Sequence, residues 1–391
     1  MGLNCSTQGK ILFAVTSPRS LNLMRGYPQH LADSNWDVHV VSAPGPGFHE
    51  FEARSGVTKH SLKMERSPSI FKDMVSLVRW CLLLLKVKPD IVSSGTPKAG
   101  LLGMLASRLV KVPRRVYHLR GLRLESLTGL KYFVLKAMEK MACSCSTEVL
   151  AVSASLREAA IRTGIVSPDK IHVLGKGSSN GVDINHFNPE NATESRKEEL
   201  TQALGLIPDV PVIGFVGRLT LDKGLETLKK AHEELKKQGI RHQFLVVGGV
   251  ENDVLTGHQD SPHGYLGKAF VQTGRVKDVA PYYPLMDLLT LPTQREGMPN
   301  AVLESQACGV PVVTTDVTGA RDSIRNGRTG VLFTYGDYQE LAQVIAKLLS
   351  ERDLMNRMSQ VGRRFIEENF SRNRVWELLD EFYGEVRVHS N

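Results

Sequence analysis

The sequence predicts an α/β protein built from two doubly wound domains in tandem, each a parallel sheet with helices on both faces. Three observations carry this expectation. Short apolar runs of strand length recur along the chain, separated by segments long enough for crossover helices. The scheme starts afresh near residue 210. The 391 residues are also too many for one ordinary core. Hydrophobic residues at 41%, charged at 23% and aromatic at 6% belong to a globular chain and exclude a disordered or fibrous one.

Residues 10–16 read as the first buried strand, followed by a loop rich in Ser, Pro and Arg and a helix-like segment to about residue 35. Further strands are predicted at 36–42, 90–93, 115–118 and 148–152. The second half repeats the pattern at 210–216, 243–247, 271–273, 288–291, 310–314 and 330–333. The joint falls between Asn180 and about Leu206, where the Asn188-Pro189 turn precedes a charged stretch and a fresh strand. This gives domains at 1–190 and 191–373, and a segment 374–391 whose last helix, 374–386, has room to run back across the first domain. Ligands of such sheets sit outside the carboxyl ends of the strands, so two facing domains place the site in the cleft between them.

The five cysteines, Cys5, Cys81, Cys143, Cys145 and Cys308, lack the C-x-x-C spacing of a zinc site or redox pair and read as reduced thiols. The most apolar stretch, 80–85, is far shorter than the about 20 residues of a bilayer span, and no secretion signal is expected. The net charge of +8 is uneven. Residues 1–190 carry 25 Lys/Arg against 14 Asp/Glu, and residues 191–391 carry 24 against 27. A basic half attracts nucleic acid, an anionic membrane surface or a phosphorylated substrate, and the sign alone does not choose. The chain has no zinc spacing, aromatic RNA platform or concentrated basic helix, which argues against nucleic acid.

The sharpest feature is Arg295-Glu296-Gly-Met-Pro-Asn-Ala-Val-Leu-Glu304, which follows a strand and runs into Ser305-Gln-Ala-Cys-Gly309 before the next. It reads as strand, loop and helix with two carboxylates eight apart. Pro299 suits the first helical turn and Gly309 the helix stop. Glu296 in the loop and Glu304 on the second turn are expected to reach one pocket at different depths. Carboxylates accept from sugar hydroxyls, while N–H groups at a helix start attract phosphate. The second feature is Gly214-Phe-Val-Gly217-Arg218-Leu-Thr-Leu-Asp-Lys223-Gly224, a glycine-bearing loop with two cations five apart. Glycine allows close backbone approach and the cations can neutralise a diphosphate. Asn180-Gly181-Val182-Asp183, followed by Phe187-Asn188-Pro189, by itself says only hinge. No two aspartates are separated by one residue, so an Asp-x-Asp metal site is not expected.

Together these residues resemble glycosyltransferase family 4, the retaining group with the GT-B fold. The resemblance rests on Gly217-Arg218 with Lys223-Gly224, the N-G-V-D hinge with its following Phe and Pro, and the E-x7-E element from Glu296 to Glu304. Tyr117-His118-Leu-Arg120-Gly121-Leu-Arg-Leu-Glu125 with Gly175-Lys-Gly-Ser-Ser-Asn180 is similar to bacterial capsule and exopolysaccharide enzymes acting on lipid-linked sugars.

The resemblance implies two Rossmann-like domains. Arg218 and Lys223 would hold the donor diphosphate, Glu304 the ribose and Glu296 the transferred sugar. Backbone groups of Gly297, Met298 and Asn300 would contact sugar and phosphates, with Gly217 giving close approach and Val276 lining the base. His118 would lie near the leaving phosphate, and Arg120 would serve the acceptor. Many relatives carry a glycine-rich loop where this chain has Ser17-Pro18-Arg19-Ser20; Arg19 and Arg25 are the candidate substitutes for its backbone donors, and Arg19 is expected to join Arg120 in binding the acceptor. The implied reaction is a retaining transfer without metal or other cofactor. An N-acetylated hexosamine or deoxyhexosamine would pass from a UDP-sugar to a polyprenyl-diphosphate-linked sugar in capsule, exopolysaccharide or O-antigen synthesis. The implied partners are the nucleotide sugar, the lipid-linked saccharide acceptor and an anionic membrane surface met by Arg108, Lys111, Arg114 and Arg115. This corresponds to a cytoplasmic protein, peripheral on the inner face of the plasma membrane. A sugar-nucleotide epimerase of the same architecture is the alternative.

Overall fold

The computed structural model describes residues 8–49, 51, 56–64, 70–250, 266–267 and 269–384. The chain forms two compact units, Met1–Asn180 with Leu378–Asn391, and Gly181–Glu377.

The first unit holds strands β1 (Lys10–Ala14), β2 (Asp37–Ser42), β3 (Val57–Ser61), β4 (Ile91–Gly95), β5 (Arg114–Leu119), β6 (Glu148–Ala151) and β7 (Ile171–His172). They form one parallel sheet in the order β3-β2-β1-β4-β5-β6-β7. All of β4 is buried, as a parallel strand covered on both faces must be. The helices are α1 (Tyr27–Asp33), α2 (Pro46–His49), α3 (Ile70–Val87), α4 (Pro97–Leu109), α5 (Gly129–Cys145) and α6 (Ala154–Arg162). Helix α4 lies close on the sheet because Gly100 has no side chain there. A Cβ at that position would stand 2.3 Å from the Tyr117 ring.

The second unit repeats the plan with β8 (Val212–Val216), β9 (Gln243–Val247), β10 (Phe270–Gly274), β11 (Leu288–Leu291), β12 (Val312–Thr315) and β13 (Gly330–Phe333). Their order is β10-β9-β8-β11-β12-β13, again parallel throughout. Its helices are α7 (Glu194–Leu204), α8 (Leu225–Lys237), α9 (Asn300–Ala307), α10 (Tyr338–Ser350) and α11 (Arg352–Asn369). Phe215, Phe244, Leu228, Leu289 and Val313 meet in its core. The final helix, α12 (Arg372–Gly384), contributes residues through Glu377 to the second unit and from Leu378 to the first.

Both sheets have the doubly wound parallel form that the sequence predicts. Strands β3 and β7 are additional to the expected set. The end of the helix expected at 374–386 lies outside the described residues. Cys81, Cys143, Cys145 and Cys308 are free thiols, and Cys5 also lies outside. Among the described residues no helix is long and apolar enough to cross a membrane.

Candidate functional site

In the second unit the strand order reverses between β8 and β11, and ligands of such sheets gather where two diverging crossovers leave a crevice. The loop after β8 carries Gly217, Arg218 and Lys223, and the loop after β11 carries Arg295 and Glu296. Neighbouring strands therefore bring together residues more than seventy positions apart. Lys223 Nζ makes a direct charged contact with Glu296 Oε1, and both side chains are largely buried.

Asp222, which the sequence reading passed over, organises this meeting. Its Oδ1 accepts from Thr220 Oγ1 at 2.5 Å, its Oδ2 accepts from Arg295 Nη2 at 3.2 Å, and its carbonyl accepts from the Gln294 N–H at 2.8 Å. Burial acts to raise its pKa, but the Thr220 hydrogen bond and the Lys223, Arg295 and Arg218 charges prevail, and the carboxyl is held below its usual value. Two glycines allow the loops to approach. A Cβ on Gly224, at φ +76°, would stand 1.8 Å from the Pro292 carbonyl oxygen. One on Gly319, also at φ +76°, would stand 2.3 Å from the Gly297 oxygen. Glu296 is further pinned by its N–H donating to Thr318 O at 3.1 Å.

Arg218 is exposed at the mouth of its loop and makes no ion pair among the described residues. Gly297 is buried, Met298 packs against the small cluster around Leu303 and Phe370, and Asn300 is exposed as the first residue of α9. Pro299 is the residue before that helix rather than within its first turn. At ψ 105° it is still extended, and its carbonyl accepts from the Val302 N–H. No side chain caps the helix start, which leaves it open to an anionic group. Gly309, at φ +72°, ends the same segment as expected. Val276 is half-buried against the core.

Glu304 lies on the second turn of α9, where its Oε2 accepts from Tyr283 Oη at 2.8 Å. Burial drives its pKa up to about 7 against the opposing pull of the Tyr283 hydrogen bond and the His186 charge. The Phe187 ring stands edge-on to Tyr283, and His186 Nε2 lies 2.9 Å from Asp278 Oδ1, so the turn after Gly181 shields this carboxyl.

In the first unit the strand order reverses between β1 and β4. A small cavity there is lined by Phe13, Tyr27, Ser93, Gly95, His118, Arg120 and Tyr383. His118 ends β5 and shares a hydrogen bond of 2.9 Å between Nε2 and Tyr383 Oη, which also lies 2.7 Å from Ser93 Oγ. Burial, with the adjacent Arg120 charge, lowers the His118 pKa to about 3, so the ring is neutral. Burial brings Arg120 down to about 10, and its Nε and Nη1 have no hydrogen-bond partner among the described residues. Arg19 and Arg25 are exposed, and the Arg25 carbonyl accepts from Asn180 Nδ2 at 2.9 Å.

Three of the four basic residues expected to meet a membrane bond to the protein itself. Arg114 Nε bonds Glu148 Oε2 at 2.8 Å, and its guanidinium stacks on Phe382 at 4.3 Å. Arg115 donates to the carbonyls of Cys145 and Val112. Arg108 and Lys111 are exposed, and Arg108 Nη1 donates to the Ser144 carbonyl at 3.1 Å.

The structure as a whole is similar to that of HepE from Anabaena in complex with UDP and glucose. The TM-score is 0.78 at 20% identity, over 96% of this chain and 100% of that one. The architecture is that of the GT-B glycosyltransferases. Residues 24–177 match the model of the glycosyl transferase 4-like domain, and residues 210–351 match that of glycosyl transferases group 1. The capsular polysaccharide biosynthesis glycosyltransferase CapM of Staphylococcus aureus is 38% identical over 96% of this chain and 97% of its own length. An Escherichia coli UDP-Gal:alpha-D-GlcNAc-diphosphoundecaprenol alpha-1,3-galactosyltransferase is 29% identical over 83% and 82%. The chain belongs to glycosyltransferase family 4.

Proposed function

We propose that the protein is a retaining, metal-independent glycosyltransferase. It would move a sugar, an N-acetylated hexosamine or deoxyhexosamine, from a UDP-sugar to a polyprenyl-diphosphate-linked saccharide during capsule or exopolysaccharide synthesis. The observation that carries this reading is the pairing of Lys223 with Glu296 where the second sheet reverses its strand order. One member can take charge on the leaving diphosphate while the other accepts from hydroxyls of the sugar. Arg218 adds a planar fork to the diphosphate, the open start of α9 adds backbone N–H groups, and Glu304 takes the ribose. With the charge supplied by fixed protein groups, no metal is required. In the first unit, the neutral His118 is assigned to the reacting sugar and Arg120 to the acceptor.

The names of the S. aureus and E. coli relatives support the pathway and the lipid-linked acceptor. A peripheral position on an anionic membrane surface at the cytoplasmic face follows from such an acceptor. The test is a mass-spectrometric screen of nucleotide sugars against lipid-linked acceptor sugars, with the product anomer read by NMR and a chelator arm included. Glu296→Ala is expected to reduce kcat by about 10² to 10³, the scale of losing one fixed transition-state contact, while circular dichroism stays native. Near-normal turnover of that variant would overturn the assignment. Donor consumption without acceptor would identify an epimerase.

A further inference from the structure

Helix α3 is apolar on both of its faces. Its inner face buries Trp80, Leu84 and Val87 against the first unit. On the outer face Phe71, Met74, Val78, Leu82 and Leu85 follow one another at intervals of three and four residues, all exposed, with Phe71 at 79% and Leu82 at 62%. A helix of a soluble domain hides one apolar stripe and shows water a polar one. Helix α5 repeats the anomaly with Leu130, Phe133, Val134 and Met141, where Leu130 is 79% and Phe133 65% exposed. The two helices flank α4, each packing against it, and Lys98 of α4 binds Asp73 of α3 at 2.7 Å.

The charges between these apolar residues are of one sign. Lys72, Arg79 and Lys86 stand on α3, and Lys131, Lys136 and Lys140 on α5. The two carboxylates of these helices are occupied, Asp73 by Lys98 and Glu139 by the hydroxyl of Tyr117 in the interior. Lys63, Lys72 and Arg79 also line one hollow with Phe71 and Val75.

We infer that the outer faces of α3 and α5 form the surface by which this protein seats on an anionic lipid bilayer, with the apolar side chains entering the acyl boundary and the lysines and arginines meeting phosphate headgroups. This rests on the peripheral-membrane part of the proposed function and moves the contact away from Arg114 and Arg115. Apolar side chains interleaved with cations are the composition of interfacial helices, and each cation near an anionic surface adds attraction that salt weakens. A second copy of the chain fits less well, because a two-fold interface would set lysine against lysine.

The test compares the full-length protein with Leu82→Glu/Phe133→Glu in co-sedimentation with phosphatidylcholine vesicles and with vesicles that also contain phosphatidylglycerol. The native chain is expected to bind the anionic vesicles more tightly, with affinity falling as salt rises. The double variant should bind at least about tenfold more weakly, the order expected for withholding one buried apolar side chain. Both proteins should retain the same thermal transition and equal transfer to a short-chain, water-soluble diphosphate sugar. Equal binding of both proteins to anionic vesicles would overturn this surface and leave peripheral association standing. Failure of the native chain to bind either vesicle would overturn both. A native dimer that the double variant converts to monomer in sedimentation velocity would make the face a self-association surface and overturn the lipid assignment. Absence of transfer by the native chain with every donor would sink the glycosyltransferase reading independently of these outcomes.

Discussion

Glu304 has an ordinary carboxyl pKa of 4.5 when unfolded and about 7 when folded, because burial penalises its charge. Between those values the native state binds more protons than the unfolded one, so stability of the empty protein is fullest at the acid end of the window and declines as pH rises through it. On the proposed reading, in which Glu304 takes the ribose, donor binding should respond in the opposite sense, since only the ionised carboxylate accepts from both hydroxyls. Calorimetric affinity for UDP is expected to rise as pH rises through about 7, and Glu304→Gln should flatten both dependences. An unchanged pH profile in that variant would remove Glu304 from the ribose site. Glu296 and Lys223 were legible in the sequence because each lies in a glycine-bearing loop after an apolar run, and Glu304 because it follows Glu296 by eight positions on a helical segment. Tyr283 was not, since it meets Glu304 from a separate turn and its own neighbourhood reads as an ordinary Pro-flanked connector. Asp222 could have been noticed, as a carboxylate set between Arg218 and Lys223 has cations on both sides.

The loops at the second switch point depend on backbone approach more than on side-chain packing. Gly319→Ala places a Cβ 2.3 Å from the Gly297 oxygen at a φ of +76°. It should cost about 1–3 kcal/mol from strain alone and displace the Glu296 loop. The expected result is a lower unfolding midpoint in urea together with a raised KM for the donor, and a variant with native values of both would show that the loop position is not critical. Most strands were legible because parallel strands buried on both faces are short continuous apolar runs. β3 was not, because Val57-Thr-Lys-His-Ser61 is an edge strand of mostly half-exposed residues, and the two residues of β7 are too few for any pattern. Pro299 fell one place outside its expected helix because its fixed φ suits the residue before a helix as well as the first within it.

Across the molecule, the first unit is completed by residues from the far end of the chain. Tyr383 is fully buried there, and its hydroxyl serves both Ser93 and His118. Nothing local in the sequence marks a contact 265 residues long. Tyr383→Phe keeps the ring but leaves two buried polar groups without that partner. It should lower unfolding free energy by about 1–3 kcal/mol, read in urea, and a value unchanged from the native chain would refute the structural role given to the hydroxyl. The charge imbalance between the halves was visible in composition. Which cations bond to the protein itself was not, because Arg108, Arg114 and Arg115 look no different in sequence from Lys111.

The Lys223–Glu296 pair carries one more consequence on the proposed reading. A bare anion arriving at Lys223 has to displace a carboxylate tethered beside it, a competitor whose effective concentration no dilution can lower. A sugar nucleotide meets the same competitor but brings hydroxyls that give the displaced carboxylate a new partner. The site would then discriminate by exchange of partners, turning away inorganic phosphate and diphosphate from the cell's pool while admitting the donor.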